Sequence, residues 1–100
     1  DWVLQRNRIY EERRDLVIRG LHQAGLEADV PKATLYVWFR TPPGWRSQEF
    51  ALMLLERAHV SLVPGTVFGE NGEGYIRLSI TEPSERLSEA MQRIVFALGR

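Results

Sequence analysis

The strand-like segment YIRLSI, residues 75–80, constrains the fold of this chain more than any other feature. Side chains of a β-strand alternate between the two faces of its sheet. The aliphatic side chains therefore share one face, which we expect to be buried, and Arg77 lies on the opposite face with Tyr75 and Ser79. A guanidinium is costly to bury without a partner. The segment thus predicts a sheet covered on one face only, with Arg77 exposed, paired or bound to a ligand.

Arg77 follows a glycine-rich segment, PGTVFGENGEG at residues 64–74, which is typical of an adaptable loop. An arginine on a rigid strand beside such a loop is suited to bind a carboxylate through two parallel hydrogen bonds. The alternative is a surface or salt-bridged arginine on the open face of the sheet, because exposed arginines are common and seldom form sites. Taken alone, the residues favour the surface interpretation, and the carboxylate interpretation stays open. Glu70 and Glu73 do not qualify as an acid–base pair, since nothing in the sequence fixes their separation.

Three amphipathic segments predict helices that cover the buried face of this sheet. The first has a stripe of Ile9, Arg13, Leu16, Val17, Gly20, Leu21 and Ala24, and we expect Gly25 to end it in the left-handed conformation. The second, with Ser47 as its predicted N-cap, has Phe50, Ala51, Leu54, Leu55 and Ala58. The third follows Pro83 and has Leu87, Ala90, Met91, Ile94 and Leu98.

Four segments predict strands, at residues 26–30, 35–39, 60–63 and 75–80, which gives the element order α-β-β-α-β-β-α. One hundred residues allow one core, so we assign residues 1–100 to a single domain. The connection from the second to the third strand is long enough for a helical crossover, which favours a mixed sheet. We therefore predict a two-layer α/β (α+β) fold, in which three helices pack on one face of a small mixed sheet of three or four strands.

Charge and composition exclude several classes of function. The formal net charge is zero, which gives no electrostatic case for a nucleic-acid partner or an anionic membrane. The chain contains no cysteine, which excludes disulfides and thiol catalysis and fits a reducing, cytoplasmic compartment. No apolar run is long enough to cross a membrane, and His22 and His59 lack partners at metal-ligand spacing. Because the chain begins at Asp1 in helix-like sequence, we expect an excised domain or a processed product.

Five segments, in their order and spacing over nearly the whole chain, resemble a known family. They are YEERRD at residues 10–15, PKATLYVW at 31–38, VPGTVFG at 63–69, GEGYIRLS at 72–79 and EAMQRI at 89–94. The set is similar to the C-terminal small domain of class I (fold type I) pyridoxal-phosphate aminotransferases, in particular the aspartate and LL-diaminopimelate group. Each motif is weak by itself, whereas the ordered set is specific.

The resemblance implies a function for Arg77, because an arginine of this strand binds the α-carboxylate of the substrate in that family. It implies that residues 1–100 are the small, substrate-carboxylate-binding domain of a transferase of amino-acid biosynthesis. Such an enzyme moves an amino group between an amino acid and a 2-oxo acid. The loop at residues 64–69 is then expected near the mouth of the active site, and the full-length protein is expected to be a cytoplasmic homodimer.

The cofactor implied by the resemblance, pyridoxal 5'-phosphate, belongs to a large N-terminal domain that this sequence does not include. Lys32 is the only lysine, and its setting beside Pro31 does not resemble the cofactor-lysine motif, so we expect a surface lysine. We therefore expect this chain to bind no cofactor and to be inactive alone.

The alternative function is a free-standing small α/β ligand-binding or interaction module. A start codon near Asp1 would favour this module. A continuous upstream reading frame with a cofactor-lysine motif would favour the aminotransferase domain.

Overall fold

The three predicted helices and a three-stranded sheet are present in the structure, a computed structural model that describes residues 2–28 and 35–99. The elements in chain order are α1 (Trp2–Gln23), β1 (Tyr36–Arg40), α2 (Ser47–Ala58), β2 (Val63–Pro64), β3 (Tyr75–Ser79) and α3 (Ser84–Ala97). Two short 3-10 turns, Gly65–Phe68 and Glu70–Gly72, lie between β2 and β3. The predicted strand at residues 26–30 is represented only by an isolated bridge from Ala28 to Phe39, and its last two residues lie outside the described ranges.

The strands are in the order β1-β3-β2, and both neighbouring pairs are antiparallel. The prediction of a mixed sheet is therefore wrong for the part of the chain that the structure describes. The expected helical crossover does occur, since α2 connects β1 to β2 and these two strands run in the same direction. They are not neighbours, because β3 returns between them and pairs with both. The crossover thus spans a gap that the later strand fills.

The hydrophobic core lies between this sheet and the three helices. The core-facing side chains of the two longer strands are at most 4% exposed, and they are Val37, Phe39, Ile76 and Leu78. The helices cover them with Val17 and Leu21 from α1, Phe50 and Leu54 from α2, and Leu87 and Ile94 from α3. The predicted two-layer fold, with the helices on one face of the sheet, is confirmed.

Two side chains assigned to the buried helix stripes are exposed instead. Leu55 is 47% exposed, because it lies at the flank of a buried α2 stripe that follows residues 47, 50, 51, 54 and 58. Ile9 is 44% exposed, because the first two turns of α1, residues 2–9, lie outside the core. Conversely, Ile18 is buried although the predicted stripe left it out.

Backbone geometry explains where the first helix ends and where the last helix begins. Gly25 lies just beyond α1 with a φ of 84°, and its amide donates a 3.0 Å hydrogen bond to the carbonyl of His22 in the last turn of the helix. This is the left-handed glycine end predicted from the sequence. Pro83 directly precedes α3, also as predicted.

The third strand begins later than predicted. His59 ends α2 in the left-handed region, with a φ of 56°. The amide of Val60 then donates back to the Leu54 carbonyl at 3.3 Å, so Val60 belongs to the helix end and not to the sheet. Strand β2 consequently starts at Val63.

Candidate functional site

Arg77 lies at the centre of β3, on the sheet face that points away from the helices. Its neighbours across the sheet are Trp38 of β1 and Val63 of β2. The adjacent residues Ile76 and Leu78 are buried in the core, while Arg77 is half-buried. The predicted facing of this strand is therefore confirmed, and the charged side chain belongs to the open face of the sheet.

Two aromatic rings contact the Arg77 guanidinium. Its Cζ atom lies 4.0 Å from the ring centre of Tyr36 and 4.3 Å from that of Phe68. Both distances are within the range of a cation–π interaction. Phe68 also meets Trp38 edge to face, with 5.6 Å between the ring centres and 71° between the ring planes, an arrangement that aromatic pairs favour. Tyr36 and Phe68 are therefore both cation–π partners of Arg77.

No carboxylate of residues 2–28 or 35–99 lies within ion-pair distance of the Arg77 guanidinium. The ion pairs in these ranges join Arg40 to Glu27 and Arg93 to Glu89. The described structure therefore contains no salt-bridge partner for Arg77, and it does not support the alternative of a salt-bridged arginine. The N–H donors at the edge of the guanidinium remain available to a carboxylate from outside these ranges.

The segment between β2 and β3 brings Phe68 to Arg77 through a close backbone contact. A Cβ atom on Gly65 would lie 2.1 Å from the Gly72 carbonyl oxygen, and one on Gly72 would lie 2.0 Å from the Gly65 oxygen. No side chain can be placed at such distances, so only glycine allows the two 3-10 turns to meet here. The segment folds against itself and leaves Phe68 in contact with Trp38 and Arg77. The sequence indicated an adaptable loop, and the structure has a compact one.

A carboxylate of this loop caps α2. Glu73 accepts hydrogen bonds from the Ser47 backbone amide, at 3.0 Å to Oε1, and from the Ser47 hydroxyl, at 2.9 Å to Oε2. Ser47 is completely buried and is the first residue of α2. The prediction that Ser47 is the N-cap is wrong, because Arg46 occupies that position and Glu73 supplies the acceptor. Since 26 residues separate the two partners, no local sequence pattern reveals the contact.

The other candidate groups of the sequence do not form a second site in the described residues. His22 and His59 are exposed, and no three His, Asp or Glu side chains of the described residues are placed to hold a metal ion. The carboxylate of Glu73 is committed to α2 and forms no acid–base pair with Glu70. Of the helices described, none combines the length and the apolar character needed to cross a bilayer.

The chain matches the family model for class I and II aminotransferases over residues 1–94. It belongs to this aminotransferase family, as the ordered segments of its sequence indicated. It is 48% identical over 92 residues to the LL-diaminopimelate aminotransferase of Syntrophobacter fumaroxidans. It is 44% identical over 93 residues to the protein of the same name from Moorella thermoacetica. These matches cover 92% and 93% of this chain and 24% of each relative.

Solved aminotransferase structures have the same fold. The aromatic aminotransferase of Pyrococcus horikoshii superposes with a TM-score of 0.92 at 38% identity, over 96% of this chain and 26% of that protein. An aspartate aminotransferase variant from Thermus thermophilus gives a TM-score of 0.87 at 36% identity, with the same two coverages of 96% and 26%. The chain thus spans about a quarter of the length of the curated relatives that it matches.

Proposed function

We propose that this chain is the C-terminal small domain of a pyridoxal-phosphate-dependent aminotransferase, in which Arg77 binds the α-carboxylate of the substrate. The full-length enzyme would transfer an amino group between an amino acid and a 2-oxo acid. Arg77 carries the proposal, because it lies on the open sheet face against two rings and has no carboxylate partner within the described residues. Membership of the family supports the reaction class.

The guanidinium of Arg77 suits a carboxylate by shape as well as by charge. Its N–H groups point outward in one plane and match the two oxygens of a carboxylate with parallel hydrogen bonds. The cation–π contacts with Tyr36 and Phe68 supply no carboxylate, so N–H donors of the guanidinium are left for a ligand. A substrate held in this way is fixed in position and orientation, which lowers the entropic part of the reaction barrier.

The chemistry of the site supports a substrate class and not one substrate. Arginine recognises the α-carboxylate, which amino acids and 2-oxo acids share. Some relatives are named for LL-diaminopimelate, one solved neighbour is named an aromatic aminotransferase, and another is named for aspartate. The substrates in these names have different side chains. We therefore infer an α-amino acid as donor and a 2-oxo acid as acceptor, in amino-acid biosynthesis.

The described residues do not fit pyridoxal phosphate. They include no lysine to bind its aldehyde, and the only lysine of the sequence, Lys32, lies in residues 29–34, outside them. We infer that the cofactor, which supplies an electron sink when bound, is held by a part of the polypeptide outside this chain. The isolated chain should therefore be inactive. A stoichiometric imine absorption band that disappears in Lys32→Ala would contradict this inference.

The first turns of α1 indicate where the rest of the polypeptide packs. Trp2 and Leu4 are 68% and 58% exposed on a helix whose later turns belong to the core. Apolar side chains exposed together are typical of an interface. We infer that this end of α1 contacts the cofactor-binding part of the same polypeptide. We retain from the family resemblance the expectation of a cytoplasmic homodimer.

Replacing Arg77 in the full-length enzyme tests the proposal. Loss of a charged contact that leaves a buried carboxylate unpaired costs about 2–5 kcal/mol, so Arg77→Ala should lower kcat/KM roughly 30- to 3,000-fold. Arg77→Lys should recover only part of this loss, because an ammonium cannot form two parallel hydrogen bonds in one plane. The matched control is Arg57→Ala, which removes an exposed arginine of α2 and should leave kcat/KM unchanged.

Melting temperatures of the same preparations separate binding from folding. Arg77 lies opposite the core face of β3, so its removal opens no core cavity and should leave the melting temperature near the wild-type value. Near-normal kcat/KM in Arg77→Ala would exclude Arg77 as the carboxylate anchor. Unfolding of the domain in this variant would show that the arginine is structural.

A further inference from the structure

We infer that Tyr36 and Phe68 are positioning residues, which hold the Arg77 guanidinium in the orientation that receives the carboxylate. This role rests on the proposed function of Arg77 and extends it, because the two rings act through the cation and do not themselves bind the carboxylate. The two ring centres lie 4.0 and 4.3 Å from the Cζ atom of Arg77.

Arginine has a long side chain with several rotatable bonds. A position on an open sheet face does not by itself restrict the conformation of this side chain. Within the described residues no ion pair fixes the Arg77 guanidinium. The ring contacts are therefore what restricts it before a ligand arrives. A cation that is already in place loses less conformational freedom on binding, which raises affinity without a new contact.

The two rings reach Arg77 from different parts of the fold. Tyr36 is fixed by β1, whose pairing with β3 places it opposite Ser79. Phe68 is fixed by the turn that the close glycine contact holds together, and by its edge-to-face contact with Trp38. The sheet register thus places one ring and the loop places the other. Removing the loop ring leaves the sheet pairing intact, which makes Phe68 the cleaner position to test.

Phe68→Leu in the full-length enzyme removes the ring and keeps an apolar side chain. We expect kcat/KM for the amino-acid substrate to fall roughly 3- to 30-fold, from the usual strength of a cation–π contact, and chiefly through a higher KM. Phe68→Tyr keeps a ring and should retain a near wild-type kcat/KM. The control is Leu52→Ala, which shortens a 53% exposed apolar side chain of α2 outside this loop and should leave kcat/KM unchanged.

A double-mutant cycle with Arg77→Ala distinguishes the role of the ring from that of the cation. If the ring acts through Arg77, Phe68→Leu should have little further effect once Arg77 has been removed. Independent losses that multiply in the double variant would overturn the positioning role and leave the proposed function standing. An unchanged kcat/KM in Arg77→Ala alone would overturn both.

Proton chemical shifts of the Arg77 side chain give a readout that does not depend on activity. Rings 4.0 and 4.3 Å from the Cζ atom should shift the Arg77 side-chain protons upfield of those of the other arginines, in full-length enzyme with labelled arginine. Arg77→Lys assigns the signal by removing it. Phe68→Leu should move the signal toward the ordinary arginine position, whereas Leu52→Ala should not. Ordinary shifts for Arg77 in the wild-type enzyme would overturn the positioning role.

Discussion

Glu73 fixes the start of a helix that lies far from it in the sequence. Its carboxylate accepts hydrogen bonds from both the amide and the hydroxyl of Ser47, and Ser47 has no exposure to solvent. A negative charge at this end of α2 also interacts favourably with the helix dipole. Without the carboxylate, the two donors of Ser47 would stay buried and unpaired, which is the costly state for a polar group.

We expect Glu73→Ala to lower the free energy of unfolding by about 1–3 kcal/mol, the cost of leaving a buried donor without a partner. The matched control is Glu70→Ala, because the Glu70 side chain makes no ion pair within the described residues. The control should change stability by less than about 0.5 kcal/mol. Urea unfolding of the 100-residue chain measures both variants. Equal stabilities would show that Glu73 does not stabilise α2.

The facing of Arg77 could be predicted from the sequence, whereas the contacts of Phe68 and Glu73 could not. Strand alternation fixes the face of Arg77 without knowledge of any partner. The role of Phe68 depends on how a glycine-rich segment folds back on itself, and the role of Glu73 depends on a residue 26 positions away. Neither contact leaves a periodic or local pattern in one sequence. Sequence reasoning therefore placed Arg77 on the open face of the sheet, and it missed both the Phe68 ring that contacts Arg77 and the carboxylate that caps α2.

Elements with a clear hydrophobic period or a strand-like composition were predicted well, and those without either were not. The three helices each repeat an apolar stripe, and β3 alternates between an aliphatic and a polar face. Strand β1 was identified by its β-branched and aromatic residues. Strand β2 has only two residues and carries no period. The antiparallel sheet order was also out of reach, because it depends on β3 entering the gap between β1 and β2. Connection length alone cannot reveal which strand fills such a gap.

The compact loop between β2 and β3 depends on the close contact of two glycines. Gly65→Ala would place a Cβ atom 2.1 Å from a backbone oxygen, so the loop must shift. We expect a loss of about 1–3 kcal/mol in the free energy of unfolding, as in other overpacked sites. The control is Thr66→Ala, an exposed position of the same turn, which should change stability by less than about 0.5 kcal/mol. A Gly65→Ala chain as stable as the Thr66→Ala chain would contradict the close contact.

At the scale of the whole molecule, the chain combines a closed core with an exposed helix end. Helix α1 has 22 residues and is therefore about 33 Å long, yet its buried residues all lie between Val17 and Leu21. The sheet and the three helices enclose a core of their own, which supports folding without the rest of the polypeptide. The side chains at residues 2–9 are exposed and lie outside this core.

The isolated chain should therefore melt cooperatively while the start of α1 frays. Hydrogen exchange should be fast at the amides of residues 2–9 and slow at those of residues 17–21, because only the latter turns are buried. In the full-length protein the amides of residues 2–9 should become protected, since we propose that this end packs on the cofactor-binding part. A random-coil spectrum would contradict independent folding. Equal exchange of residues 2–9 in the two proteins would contradict the proposed packing.

The most direct test of the proposed function is whether Arg77 recognises the carboxylate group of a ligand. The test compares two ligands that differ only in this group. Inhibition constants would be measured for a substrate-like carboxylic acid and for its primary amide, in the full-length wild-type enzyme and in Arg77→Ala. We expect wild type to bind the acid more tightly than the amide. Arg77→Ala should weaken the acid roughly 30- to 3,000-fold, from the cost of an unpaired charge, and should weaken the amide little. The same loss for both inhibitors, or an unchanged preference for the acid, would contradict the assignment of Arg77.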